Sequence, residues 1–101
     1  MAIYMLYRTK SKDDTPGKLD ELRAEFEGIY KKYKVNIVGF WENAADSQEA
    51  YYLSKYEDEA DYKSKTDQLR SDDRYVDLTK KLDAIRLESE AVKLKPLWIP
   101  E

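Results

Sequence analysis

The chain has 101 residues and 12.0 kDa, enough for one domain, because two separate cores of that size would each be too small to stand alone. Charged residues make up 39%, but 13% are aromatic and nine of these are tyrosines, which excludes a disordered acidic tail; with 21 acids against 18 bases nothing argues for nucleic acid or an anionic membrane as partner. With no cysteine and no histidine, disulfides, thiolate metal sites, serine–histidine or cysteine–histidine nucleophiles and the usual haem and zinc ligands are all excluded. No apolar run approaches a membrane span or a signal-peptide core, so a soluble, cytoplasmic protein is expected.

Residues 2–9 are aromatic-rich and read as a strand, followed by a polar loop from Lys10 to Asp14. Thr15 offers an N-cap oxygen, and Pro16 suits a first helical position, where its missing N–H costs nothing. Leu19, Leu22, Phe26, Ile29, Tyr30 and Tyr33 then form a stripe along one helix face, while Glu21, Glu25 and Glu27 stand off it. Gly28 weakens that helix by about 1 kcal/mol relative to alanine, but the stripe runs through it. Residues 35–42 read as a second strand, 43–47 as a hairpin loop and 48–56 as a third strand. A helix is predicted from Asp58 to about Leu69, with Asp58 near its cap and Tyr62 and Leu69 facing inward. Ser71-Asp72-Asp73 ends it and caps another, whose stripe is Tyr75, Val76, Leu78, Leu82 and Ile85. Residues 87–95 make a fourth strand, stopped by Pro96, and residues 96–101 an extended C-terminal arm carrying Leu97, Trp98 and Ile99.

This order is the α+β, ferredoxin-like βαββαβ arrangement in a single domain over 1–101, with a four-stranded antiparallel sheet. The right-handed crossover rule puts the helices on one face of that sheet. The strands nevertheless carry large apolar groups on both faces. Ile37, Gly39 and Trp41 are expected on one side of the second strand, with Val38 and Phe40 on the other. Tyr4 and Leu6 oppose Ile3, Met5 and Tyr7 on the first strand; Tyr52 and Tyr56 oppose Tyr51 and Leu53 on the third. A monomer would expose one such face, so a two-fold dimer with sheets face to face is expected, and the protein's partner is a second copy of itself.

Four segments and a closing echo resemble the NIPSNAP-like proteins of the dimeric α+β barrel superfamily. They are Tyr4-Met5-Leu6-Tyr7-Arg8, Thr15-Pro16-Gly17-Lys18-Leu19, Val38-Gly39-Phe40-Trp41, the run from Tyr56-Glu57 through Leu69 to Asp72-Asp73-Arg74-Tyr75, and Leu94-Lys95-Pro96. Together they span nearly the whole chain. The resemblance implies the fold and the dimer, with no particular reaction. The chain departs from the family's pattern where Tyr62 and Thr66 replace arginines on the helix after the third strand, and where Tyr75 replaces a tryptophan. An anion pocket built on those arginines is therefore not implied. Haem-degrading members use a histidine iron ligand, which this chain lacks, so no cofactor is expected.

The carboxylate pairs Asp13-Asp14, Glu57-Asp58 and Asp72-Asp73 sit at loops and helix starts, where they cap helices, and no metal site is expected. Arg8, Glu88 and Glu90 are expected on the sheet face away from the helices, beside Trp41 and Tyr52. There a paired arginine and glutamate could orient a ligand among aromatic walls, and a buried glutamate could accept a proton. The candidate ligand-binding residues are thus Tyr7, Arg8, Trp41, Tyr52 and Glu90. The first reading is a dimer holding a small, largely apolar or aromatic molecule in the barrel between its subunits, as a cofactor-independent monooxygenase or isomerase if it is an enzyme. The alternative is a non-catalytic interaction module that uses the dimer surface or the Leu97-Trp98-Ile99 arm.

Overall fold

The structure, a computed structural model, describes residues 2–12 and 17–99. Strand β1 (Ile3–Ser11) leads to helix α1 (Lys18–Lys32), then to the hairpin of β2 (Asn36–Asn43) and β3 (Asp46–Tyr56). Two helices come next, α2 (Glu59–Arg70) and α3 (Asp73–Ile85), and β4 (Arg86–Leu94) closes the sheet. All pairings are antiparallel, in the order β2-β3-β1-β4. This is the ferredoxin-like architecture.

The expected start of α1 at Thr15 and Pro16 lies outside the described residues, as does the Asp13-Asp14 pair. The helix is regular from Lys18, preceded by Gly17 at φ 81°, a left-handed conformation that glycine adopts without strain. β1 runs two residues beyond its expected end, because Lys10 still pairs with Glu49 and Ser11 meets Arg86 across a bulge. The β2–β3 loop is tighter than the expected 43–47, since Asn43 pairs with Asp46. Side chains take over the backbone's hydrogen bonding there: Asn43 Oδ1 accepts from Ala45 N at 2.9 Å and Asp46 Oδ1 from Gln48 N at 3.0 Å.

All three helices cover one face. Their buried residues Leu22, Phe26, Ile29, Tyr30, Leu69 and Leu78 close over Met5 and Tyr56 of the sheet. The two aspartates expected to cap do so. Asp58 accepts from Asp61 N at 2.8 Å at the start of α2, and Asp72 accepts from Arg74 N at 2.9 Å and Tyr75 N at 3.1 Å at the start of α3. Asp72 also receives the Tyr33 hydroxyl from the end of α1 and lies 3.5 Å from Lys32 Nζ, so one carboxylate ties two helices together.

β2 departs from simple alternation. Its register slips between Ile37, which faces Ser54, and Gly39, which faces Leu53. Val38 is the inserted residue, and such a bulge reverses the facing of every later residue in the strand. The expectation that Ile37 shares a face with Gly39 and Trp41 is therefore corrected. Ile37 and Phe40 lie on the helix side, while Gly39 and Trp41 lie on the open side, where a Cβ on Gly39 would come within 2.7 Å of the Trp41 indole. On the third strand Tyr52 and Tyr56 do oppose Tyr51 and Leu53, but Tyr52 packs beneath the helices and not beside Trp41 as expected.

Leu78 is only 2% exposed beneath α3. Leu78→Ala is expected to cost about 2–5 kcal/mol, read as a lower urea midpoint at unchanged slope. Asp72 ionises more readily in the folded chain, its pKa drawn down from 3.8 to about 2 by the Tyr33 hydroxyl first and then by the helix amides. Its contribution to stability is thus complete above about pH 4 and is lost as pH falls towards 2. Asp72→Asn keeps a capping oxygen but does not titrate, so its melting temperature should fall less steeply than the wild type's across that window; equal slopes would assign the acid sensitivity elsewhere.

Candidate functional site

Tyr7 of β1 faces Tyr52 of β3, and Tyr52 faces Phe40 of β2. Because cross-strand partners rise from the same side of the sheet, the three rings stand in a row. Tyr7 and Tyr52 stack at 4.4 Å with planes 12° apart, and Tyr52 and Phe40 at 5.1 Å and 13°. The Val38 bulge is what delivers Phe40 to this row. Above it, α1 contributes Phe26 and Tyr30, and α3 contributes Tyr75, whose ring meets Phe26 edge-on at 5.8 Å. Floor and roof bound a partly open cavity of about 270 Å³, lined further by Leu22, Leu82 and Thr79.

Aromatic and aliphatic groups line it together with hydroxyls, and Arg8, Arg23, Arg86 and Glu90 border it. Tyr30 and Tyr52 approach each other through their hydroxyls at 3.4 Å. Burial pushes the phenols of Tyr7, Tyr30 and Tyr52 well above the ordinary tyrosine range, so each keeps its proton at neutral pH. At the rim, Arg23 lies 5.9 Å from the Phe40 ring centre and is held by Asp20 and Glu27, each at 2.9 Å. Arg86, also at the rim, pairs with Asp83.

The five residues singled out from sequence fall on both sides of the sheet. Tyr7 and Tyr52 form the cavity floor. Arg8 and Glu90 border the cavity, yet their charged groups meet at 3.8 Å in a cluster on the open face. Trp41 is on the open face too, 51% exposed, and takes no part in this cavity. In that cluster Arg8 also binds Glu49 at 3.0 Å and lies 3.7 Å from Glu88, and Glu49 receives the Tyr51 hydroxyl. Tyr51 first, and then Arg8, draw the Glu49 pKa down to about 2. The proton-accepting buried glutamate expected on this face is not found in the single chain: Glu90 is 65% exposed, and the buried Glu49 is held as an anion.

Sequence reasoning missed the roof. Phe26, Tyr30 and Tyr75 read as ordinary core stripe, and only the space beneath them makes them cavity walls. It also missed Glu49, whose alternation with Tyr51 puts both beside Arg8 once the β1–β3 register is known. Among the described residues, no group of three or more acidic, histidine or cysteine side chains is placed to hold a metal ion, and no helix is long and apolar enough to cross a membrane.

No protein-family model matches the chain, and no curated protein sequence matches it. Solved structures do. A NIPSNAP family protein from Agrobacterium tumefaciens superposes with a TM-score of 0.84 at 17% identity, over 95% of this chain and 93% of that one. A NIPSNAP domain protein from Burkholderia xenovorans gives 0.81 at 19% identity over 100% of both. SnoaB, a cofactor-independent oxygenase from Streptomyces nogalater, gives 0.80 at 11% identity over 99% of this chain and 98% of that one. The chain therefore has a NIPSNAP-like fold, that of the ferredoxin-like α+β barrel proteins.

Proposed function

We propose that two copies of this chain pack open face to open face and that each binds a small, largely apolar, aromatic molecule in the cavity beneath α1 and α3. The observation that carries the ligand reading is the cavity itself, walled by six aromatic rings and holding hydroxyl groups that keep their protons. Its location differs from the sequence expectation: it lies within one chain, on the helix side of the sheet, and not between subunits. The oxygenase chemistry of SnoaB is that protein's own, and a shared fold does not transfer it. Among the described residues the one carboxylate bordering the cavity, Glu90, is paired with Arg8, so binding is the function this geometry supports best.

The dimer reading rests on what the open face leaves uncovered. Trp41 is 51% exposed, Val92 44% and Leu94 39%, and beyond β4 the arm leaves Leu97 at 95% and Trp98 at 81%. A second copy is the covering the fold most economically provides.

A thermal-shift screen with one- and two-ring aromatic probes tests the ligand. At a hundred times Kd a probe bound only to the native state adds about 2.7 kcal/mol, a rise in Tm of several degrees. Ala91→Trp, which fills the cavity from the edge strand β4, should remove that rise. Binding that survives Ala91→Trp would place the ligand elsewhere, and no rise with any probe would end the reading. Sedimentation tests the dimer: the wild type should run at twice 12.0 kDa, and Val92→Arg, which puts a charge on the open face, at the monomer mass. A wild type sedimenting as a single copy at micromolar concentration would overturn it.

A further inference from the structure

Resting on the cavity reading, we infer that the occupant is an aromatic acid, with its ring system in the cavity and its carboxylate held at the rim by Arg86. The register of the edge strand β4 carries this. Lys10 faces Glu88, but the next residue of β1, Ser11, faces Arg86, so Leu87 is an extra residue bulged out of β4. Cross-strand partners share a face, and the buried Thr9 and Ser11 lie on the helix side; Arg86 is therefore turned to that side with Ser89 and Ala91. Regular alternation would set Arg86 on the open face with Glu88 and Glu90, beside a cluster in which Arg8 already meets three carboxylates. The bulge thus takes a cation away from the place where carboxylates are in excess and sets it at the rim of an aromatic cavity. Bulges beside binding sites re-aim side chains in this way. The backbone there is fixed from a second direction, because Arg86 also caps α3 through its N–H to Leu82 O.

What Arg86 meets at the rim leaves it able to take an anion. Among the described residues its one charged partner is Asp83, three residues back on α3, which approaches Nη2. The Arg86 side chain is 24% exposed and that of Asp83 55%, so the guanidinium is the more buried member of a pair whose carboxylate is largely solvated. Such pairs contribute little, and this contact leaves the N–H groups on Nε and Nη1 unused. A planar carboxylate takes two guanidinium N–H donors at once. The charge also reaches the roof of the cavity. Burial raises the pKa of the Tyr75 phenol, and against that act Thr79 and then the charges of Arg70 and Arg86. Arg23, at the β2 side of the rim, lies over the Phe40 ring and is engaged at two nitrogens by Asp20 and Glu27, which leaves Arg86 as the seat for the anion. A carboxylate at the rim keeps part of its water, so its desolvation cost stays small while the rings take the apolar walls.

Titration calorimetry at neutral pH and low salt tests this with 2-naphthoate, its methyl ester and 2-ethylnaphthalene, which share one ring system. The acid should bind about tenfold more tightly than either neutral probe, the effect of a charge-assisted pair at a half-solvated rim, and should lose most of that margin in about 0.5 M salt. Arg86→Gln should bring the acid down to the ester's affinity while the ester keeps its own, which reports an intact cavity. Asp83→Asn, which removes the competing carboxylate, should tighten the acid a few-fold. An acid bound no better than its ester, or a margin that survives Arg86→Gln, would overturn the inference and leave the cavity reading standing. Failure of all three probes to bind the wild type would overturn the cavity reading itself.

Discussion

A single inserted residue, Val38, decides what each face of the sheet presents. Before it, Ile37 points at the helices; after it, parity reverses and Phe40 does. Were Val38 paired regularly instead of bulged out, Phe40 would turn to the open side and Trp41 would face the helices. The Tyr7–Tyr52–Phe40 row would lose its end, and a larger indole would press into the space that is now cavity. Gly39 completes the arrangement, because only a residue without a Cβ leaves room for Trp41 to lie back across the strand. The site and the exposed tryptophan are two consequences of one slip in register.

That dependence sets how far the sequence can be read. Helix stripes of period 3.6 and capping aspartates identify α1, α2 and α3 to within a residue or two, because both signals are local. Strand existence is equally legible. The bulge is not: nothing local marks Val38 as the extra residue, since the slip is defined by its partner strand, and one uncounted residue inverts every later assignment. The cavity is hidden for a related reason. Periodicity shows that Phe26, Tyr30 and Tyr75 face inward, but whether inward means packed solid or lining a void depends on Ala50, Ala91 and the small polar residues opposite them. For Arg8 and Glu90, by contrast, alternation alone points to the open face, and their charged groups do meet there, because β1 keeps its register from Ile3 to Lys10.

The open face divides along its length. Tyr4, Leu6, Leu53, Val92 and Leu94 occupy one end of the central strands and their neighbours; Arg8, Lys10, Glu49, Glu88 and Glu90 occupy the other. Arg8 stands against three carboxylates, so that end carries excess negative charge even after Lys10 meets Asp46 at 3.4 Å. Burying it against its own copy would add repulsion to desolvation. A two-fold axis through the apolar end avoids both, pairing the aliphatic groups across the interface and leaving each acidic cluster toward the periphery. In such an arrangement the cluster fixes register: shifting the two sheets to overlap more of the face brings like charges together.

The cavity's chemistry comes from the same contrast between the two faces. On the open side a carboxylate is held ionised, because a phenol and a guanidinium donate to it. On the helix side no carboxylate of the described residues enters the aromatic row, and burial holds the phenols in their neutral form. A neutral phenol in such surroundings is a poor base and a good donor. The residues that set this contrast on the helix side are the tyrosines that the stripe and the strand patterns assign to the core.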